Sequence, residues 1–388
     1  MNLASRTRTM LAQALSVYQD SPRATGWLGR HLERFDEPLR LAVVGPPRSG
    51  KSTLVEAIGD LPGEFTLIDA PPPSPETIEN ICLEADAVLY LTRHPHNADL
   101  DFLYTVQDHP IARTAAVNAI MVLSRADELC GGRVDALVSA RRVARHHRRE
   151  PEVRGLCQDV VPVAGLLARA ARNLGRPEFD ALAELAALDR TELEPYLLSA
   201  DRFASISQGH ATLLEWLGLF GVRVAIPLLR GEARTLRELS DELLRRSGLS
   251  ELWESIDGNF LGRREVLKAR SALLGLEVVL RMEPRPAAAA LAKDLEQVVA
   301  SAHDFRELRL LAAIRTGCVV LPEGLRDEAV RLVGGDGNTP GDRLAEIDLP
   351  AASRRWRARA GDPGLASAER QAAAVVVRTC EALATGAL

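Results

Sequence analysis

Short apolar runs alternate with amphipathic helical stretches up to about residue 165 of the chain. The runs are too short for helices, and most are bounded by glycine, proline or polar residues, which predicts buried strands. Strands that alternate with helices predict a parallel sheet with helices on both faces, and hence an α/β domain. The predicted strands lie in the segments LRLAVVG, EFTLIDA, ADAVLYLT, VNAIMVLSR and QDVVPVAG, which begin at residues 39, 64, 85, 117 and 158.

Beyond about residue 165 the strand pattern stops, and helical periodicity rich in Ala, Leu, Arg and Glu follows. We therefore expect three parts: an N-terminal helical segment (1–35), the α/β domain (36–175) and an all-α helical region (176–388). The predicted helices of the third part cover residues 178–188, 191–200, 232–246, 249–281, 287–315 and 365–387, with breaks at Gly221, Gly231, Gly248 and residues 284–286.

One stretch, residues 213–229, is nearly apolar enough to be read as a membrane segment. Glu215, Arg223 and Pro227 interrupt it, so no run of about 18 uninterrupted apolar residues exists. A buried core helix is the favoured interpretation, and a membrane-dipping element is the alternative.

The net charge of −5 argues against general nucleic-acid binding, which needs a basic surface. The N-terminal residues lack the charged, apolar and small-residue order of a signal peptide, which favours a cytoplasmic protein. The short basic stretch 139–150 is interpreted as a solvated helix face, and the stretch 354–362 as surface packing around Trp356. The alternative for both is contact with anionic lipid at the inner face of the membrane, and for 139–150 also contact with a partner.

Residues 45–52, GPPRSGKS, match the phosphate-loop pattern G-x-x-x-x-G-K-[ST] between a predicted strand and a predicted helix. In such a loop, backbone N–H groups and the helix N-terminus hold the phosphates. Lys51 is expected to reach the β and γ phosphates, and it is one of only three lysines in the chain. The predicted phosphate-binding residues are Gly45, Ser49, Gly50, Lys51, Ser52 and Thr53.

Two positions are predicted to hold Mg²⁺. The hydroxyl of Ser52 is the metal ligand that the phosphate-loop pattern supplies. Asp69 ends the next predicted strand, where a carboxylate holds the metal through water. The alternative for Asp69 is an ordinary polar residue in a turn at the strand end.

A second group of residues is predicted to read the base. Ser124, Arg125 and Asp127 follow the fourth predicted strand in a partial match to [NT]-K-x-D. The Asp127 carboxylate can accept from the N1–H and 2-amino groups of guanine, and the stem of Arg125 can cover the purine face. Ala164 and Gly165 follow the fifth strand, where backbone N–H groups contact the base.

With these motifs in order, residues 35–282 resemble P-loop GTPases of the dynamin-like group. The segments GPPRSGKST, LIDAP, VLSRADE and VVPVAGLLA are most similar to the actinobacterial, isoniazid-induced branch and its shorter operon partners. The resemblance implies a P-loop NTPase fold, binding of GTP or GDP with Mg²⁺, and GTP hydrolysis. It also implies self-association or pairing with a paralogous dynamin-like protein, and a helical stalk that acts at membranes.

The sequence departs from that family around the γ-phosphate. Only 18 positions separate Lys51 from Asp69, which leaves no room for switch I, and Thr66 is expected to face the other side of the sheet. Pro72 stands where the family has a glycine whose N–H meets the γ-phosphate, and proline has no N–H. These losses predict slow hydrolysis. Arg48 is a candidate catalytic residue that neutralises transition-state charge alongside Lys51, or else it faces solvent.

Three hypotheses follow. The first is a dynamin-like GTPase whose hydrolysis is slow or partner-dependent. The second is a pseudo-GTPase that regulates or scaffolds a complete dynamin-like partner. The third, an ATP-using P-loop protein such as a small-molecule kinase, is disfavoured because a guanine-reading pattern follows the fourth strand.

Overall fold

The computed structural model describes residues 2–59, 64–71, 81, 83–95, 100–104, 118–154, 156–231, 233–315, 317–337 and 339–386. In this part of the chain there are five parallel strands: β1 (Leu39–Val44), β2 (Phe65–Asp69), β3 (Ala87–Thr92), β4 (Ala119–Ser124) and β5 (Asp159–Val163). They form one sheet in the order β2-β1-β3-β4-β5. This order places β3 between the strand that precedes the phosphate loop and the strand that precedes the predicted base-reading motif.

All five predicted strands are confirmed, and the three inner ones are mostly apolar because helices cover both of their faces. One face packs against the helices Lys51–Ile58, Gly165–Arg172 and Leu249–Asn259, and the other against the helices Ala136–His147 and Pro151–Arg154. The first helices in chain order are α1 (Leu3–Val17), α2 (Pro22–Glu33), α3 (Lys51–Ile58), α4 (Ala136–His147), α5 (Pro151–Arg154), α6 (Gly165–Arg172), α7 (Arg176–Ala187), α8 (Arg190–Leu193) and α9 (Ala200–Ala204).

The remaining residues that the structure describes are almost entirely helical, as the sequence predicts. These helices are α10 (Gln208–Gly231), α11 (Leu236–Arg246), α12 (Leu249–Asn259), α13 (Arg264–Met282), α14 (Ala289–Ser301), α15 (His303–Arg315), α16 (Glu323–Leu332), α17 (Pro340–Leu344), α18 (Leu349–Ala360) and α19 (Ser367–Ala384).

Several predicted boundaries are wrong. The predicted helix 249–281 divides at Phe260, and the predicted helix 287–315 divides at Ala302, where ψ is 104°. Neither residue is itself a glycine or proline, although Gly258 and Gly262 flank Phe260, and both side chains are buried at the bend. The break expected at Gly221 lies instead at Gly218, whose φ of 67° interrupts α10. Tertiary packing therefore decides where these helices bend.

The N-terminal segment, described from residue 2 to residue 35, shares one apolar core with α13 and α14. Trp27 Nε1 donates to the carbonyl of Gly275 over 3.1 Å, and the Tyr18 hydroxyl donates to the carbonyl of Glu283 over 2.8 Å. The first and last thirds of the chain are thus held together by contacts that no local pattern signals.

Helix α10 contains the apolar stretch 213–229. Among the described residues it is the one helix long and apolar enough to cross a bilayer, and half of its apolar window is buried inside the protein. The guanidinium of Arg223 donates to the carbonyls of Gly132 and Leu197 over 2.7 and 2.6 Å. Length and hydropathy alone are weak evidence for a membrane-spanning helix, because buried core helices share both properties.

Candidate functional site

The phosphate loop joins the carboxyl end of β1 to the first turn of α3. Ser49 N–H donates to the carbonyl of Pro46 over 3.2 Å, and Leu54 N–H donates to the carbonyl of Gly50 over 2.9 Å. Gly50 has φ 91°, which glycine adopts without strain. The Lys51 ammonium folds back onto the loop and donates to the carbonyl of Gly45 over 2.8 Å. The predicted strand, loop and helix are therefore all present.

Gly45 lies so close to the end of β3 that no side chain fits. A Cβ atom there would stand 2.4 Å from the carbonyl oxygen of Leu91. Arg48, two residues before Gly50, is exposed and has φ 63°. The exposure agrees with the solvent-facing alternative for Arg48.

The two predicted metal ligands meet at the carboxyl ends of β1 and β2. The hydroxyl of Ser52 donates to Asp69 Oδ2 over 3.3 Å. Phe65 and Leu67 pack into the core on the α3 side of the sheet, so alternation places Asp69 on that side and Thr66 on the other. A hydroxyl and a carboxylate supply the oxygen ligands that Mg²⁺ prefers. Thr66 cannot join them.

The residues that are predicted to read the base lie at the carboxyl ends of β4 and β5. Ser124 ends β4, Arg125 has φ 52°, and Asp127 lies in the 3₁₀ turn Ala126–Gly131. Ala164 precedes α6, and its N–H donates to the carbonyl of Ser247 over 2.8 Å, so this N–H is not free to contact the base as predicted. Since the strands are parallel, both motifs reach the same edge of the sheet as the phosphate loop.

One open cavity of about 180 Å³ brings the two groups together. Two buried hydroxyls line it without a hydrogen-bond partner in the described structure: Ser49 is 2% exposed and Ser124 is 7% exposed. An unpaired buried hydroxyl is costly, so such groups indicate a place for a polar ligand. The predicted site residues that line the cavity are Ser49, Gly50, Thr53, Ser124, Arg125, Asp127 and Gly165.

Burial shifts the pKa values of two predicted site residues, Asp127 and Lys51. Desolvation raises the pKa of Asp127 above its ordinary value, because burial disfavours the charged form of the carboxyl group. Desolvation also lowers the pKa of Lys51, and the nearby charge of Asp69 acts in the opposite direction. Asp127 lines the cavity, whereas Lys51 does not, and the Lys51 ammonium donates to the carbonyl of Gly45 instead.

Sequence reasoning missed two charged residues of this site. Glu128 lines the cavity, and its carboxylate pairs with the guanidinium of Arg125 over 2.6 Å and with that of Arg93 over 3.7 Å. Arg93 follows β3 directly, and the carboxyl ends of neighbouring parallel strands are where α/β proteins bind ligands. That rule could have identified Arg93 as a site residue from the sequence.

Other predicted features lie away from the cavity or outside the described residues. Pro72, whose missing N–H contributes to the prediction of slow hydrolysis, is not among the residues described. Within the basic stretch 354–362, Trp356 is fully buried and donates to Glu328 Oε1 over 2.7 Å. A membrane contact through its ring is therefore excluded in this fold.

The isoniazid-induced protein IniC of Mycobacterium tuberculosis, in the strains CDC 1551 and H37Rv, is 30% identical to this chain. The similarity covers 99% of this chain and 98% of the relative. The chain belongs to the IniC family. The alignment extends over 485 positions, more than the 388 residues here, so the IniC relative carries segments that this family member lacks. No family model and no solved structure matches this IniC-family chain.

Proposed function

We propose that the chain binds a guanine nucleotide in the cavity between the phosphate loop and the loops that follow β4 and β5. The observation that carries the proposal is the pair of buried, unpartnered hydroxyls of Ser49 and Ser124 in one cavity with Asp127. One hydroxyl belongs to the phosphate loop and the other to the base-reading motif. A nucleotide offers polar atoms to both at once, which a smaller anion does not.

The preference for guanine over adenine rests on Asp127. A carboxylate accepts two hydrogen bonds from the N1–H and 2-amino groups of guanine, whereas adenine has no donor at either place. Arg125 lies beside it with its guanidinium held by Glu128. An ATP-using P-loop protein is the disfavoured alternative, because the phosphate loop is common to both classes and does not distinguish them.

The metal site fits Mg²⁺ through the adjacent oxygens of Ser52 and Asp69. When bound, Mg²⁺ neutralises charge on the phosphates. The chain itself contributes the ammonium of Lys51, which exchanges the carbonyl of Gly45 for a phosphate oxygen, and the loop N–H groups, which hold the phosphates in place.

We further propose a dynamin-like role with slow or partner-dependent GTP hydrolysis. Helix α3 ends at Ile58 and β2 begins at Phe65, so the connection is too short for a loop that senses the γ-phosphate. A pseudo-GTPase that pairs with a complete dynamin-like protein is the alternative, and the same short connection favours it. Self-association, a paralogous partner and peripheral contact with a membrane follow from the proposed family role.

Calorimetry with GDP, GTP and ATP, each with Mg²⁺, tests the proposal. We expect GDP and GTP to bind more tightly than ATP, Lys51→Ala to weaken all three, and Asp127→Asn to remove the guanine preference alone. The matched control is Arg190→Ala, which removes an exposed ion pair with Glu194 far along the chain. Equal or tighter ATP binding would rule out the guanine assignment, and no binding at millimolar nucleotide would rule out the site.

A further inference from the structure

Arg93 connects the phosphate loop with the turn that carries Asp127. Its guanidinium donates to the backbone carbonyl of Arg48 in the phosphate loop over 3.3 Å. The same guanidinium pairs with Glu128, next to Asp127 in the base-reading turn, over 3.7 Å. One side chain therefore touches both halves of the site.

The sheet order explains why this position is available. Strand β3 lies between β1 and β4, so the residue that follows it emerges between the phosphate loop and the base-reading turn. The turn that follows β3 is held by the hydroxyl of Thr92, which donates to the carbonyl of His94 over 2.9 Å. The end of β3 also abuts the phosphate loop, where the carbonyl of Leu91 leaves no room for a side chain at Gly45.

The chemistry of the connection needs arginine in particular. A guanidinium has several donors in a rigid fork and can serve a carbonyl and a carboxylate together, whereas an ammonium is a point charge. Glu128 is shared in turn with Arg125, over 2.6 Å. The resulting chain runs from the phosphate loop through Arg93 and Glu128 to the residue that is proposed to cover the purine face.

We propose that Arg93 is a positioning residue that holds the phosphate loop and the base-reading turn at the separation that a nucleoside diphosphate requires. The inference rests on the proposed nucleotide site, but it concerns the coupling between its two halves. A ligand that spans both halves gains from their being held in place beforehand, whereas a ligand that occupies one half does not. Arg93 thus acts on the joint binding of base and phosphates.

The experiment compares GDP with pyrophosphate, each with Mg²⁺, by calorimetry on the full chain. Arg93 and Glu128 are both about half exposed, at 44% and 48%, and exposed pairs contribute modestly. We therefore expect Arg93→Ala to weaken GDP roughly two- to fivefold, through faster dissociation, and to leave pyrophosphate within experimental error. Arg93→Lys keeps a charge but not the fork, and we expect an intermediate loss.

Two controls keep the result specific. Arg190→Ala removes an exposed arginine from a comparable ion pair and should alter neither ligand. Glu128→Gln combined with Arg93→Ala should weaken GDP binding no more than the stronger single change, because both act through one connection.

If wild-type protein binds GDP but Arg93→Ala binds it equally well, or loses affinity for GDP and pyrophosphate alike, Arg93 has no positioning role. If wild-type protein binds no GDP, the proposed nucleotide site itself fails.

Discussion

The backbone N–H of Ala164 donates to the carbonyl of Ser247 over 2.8 Å, which ties the loop after β5 to the turn before α12. Gly248 follows in that turn with φ 82° and lies directly against Pro162 of β5. The proposed base-contacting loop is therefore held from outside by the helical region. Its position depends on residues more than 80 places further along the chain.

Gly248→Ala tests this dependence. A Cβ atom at Gly248 would stand 2.2 Å from the carbonyl oxygen of Pro162, and its φ is unfavourable for alanine. We expect a loss of about 1–3 kcal/mol in the free energy of unfolding and weaker GDP binding, with pyrophosphate binding retained. The control is Gly317→Ala, where φ is 75° but no atom lies within 4 Å. Equal losses in the two variants would contradict the contact-based explanation.

The pH dependence of guanine binding follows from Asp127. Burial raises the pKa of this carboxyl group, and only its ionised form accepts the guanine donors. GDP affinity should be full above that raised pKa and should fall as the pH drops through it, earlier than an ordinary aspartate predicts. Titration calorimetry from pH 7 downwards measures this, with Asp127→Asn as the reference for ionisation of the phosphates. A constant ratio of wild-type to variant affinity would show that Asp127 does not bind the base.

Basal GTP hydrolysis should be slow, well below the order of 1 s⁻¹ that ordinary enzymes reach. The reasons are the short connection between α3 and β2 and the orientation of Thr66 to the opposite face of the sheet. Phosphate release under single-turnover conditions measures the rate.

Arg48→Ala then tests the candidate catalytic role of that side chain. We expect less than a twofold change in the rate of GTP hydrolysis, because Arg48 is exposed. A tenfold fall in the hydrolysis rate with unchanged GTP affinity would show that Arg48 stabilises the transition state. Ordinary turnover by the isolated wild-type chain would overturn the slow-hydrolysis prediction itself.

The packing of the N-terminal segment can be tested at Gly275. A Cβ atom there would stand 2.3 Å from Nε2 of His31, a residue that is 3% exposed. Gly275→Ala should lower the free energy of unfolding by about 1–3 kcal/mol, although alanine favours the helix. The control is Gly29→Ala in α2, where no atom lies within 4 Å and stability should rise by about 0.5–1 kcal/mol. Urea denaturation measures both, and a stabilising Gly275→Ala would contradict the packing.

A buried ionic cluster joins the last helices. Glu307 is fully buried and accepts two hydrogen bonds from Arg343, over 3.0 and 3.1 Å, and one from Thr379 over 2.8 Å. Glu307→Gln leaves Arg343 and Arg263 short of a counter-charge, so we expect a loss of about 3–5 kcal/mol. Glu346→Ala, which removes an 87% exposed partner of Arg331, should cost under about 1 kcal/mol. Urea denaturation measures both variants, and similar losses in their free energies of unfolding would show that the buried cluster does not stabilise the fold.

Local patterns in the sequence were sufficient for the sheet and for the order of the motifs. A buried parallel strand is a short apolar run, and the phosphate loop is contiguous, so β1, α3 and residues 45–52 are readable from neighbouring residues alone. Parallel strands also bring their carboxyl ends to one edge, which explains why Ser49, Ser124 and Asp127 were predicted together and line one cavity.

Tertiary contacts decided the rest, because they join residues that no local period relates. The bends at Gly218, Phe260 and Ala302 and the burial of Trp356 depend on packing partners far away in the chain. So does the place of Arg93: its side chain lies beside Arg48 and Glu128 only because the sheet inserts β3 between β1 and β4. Hydrophobic periodicity states which residues are buried, but not against what, and the second question needs the fold.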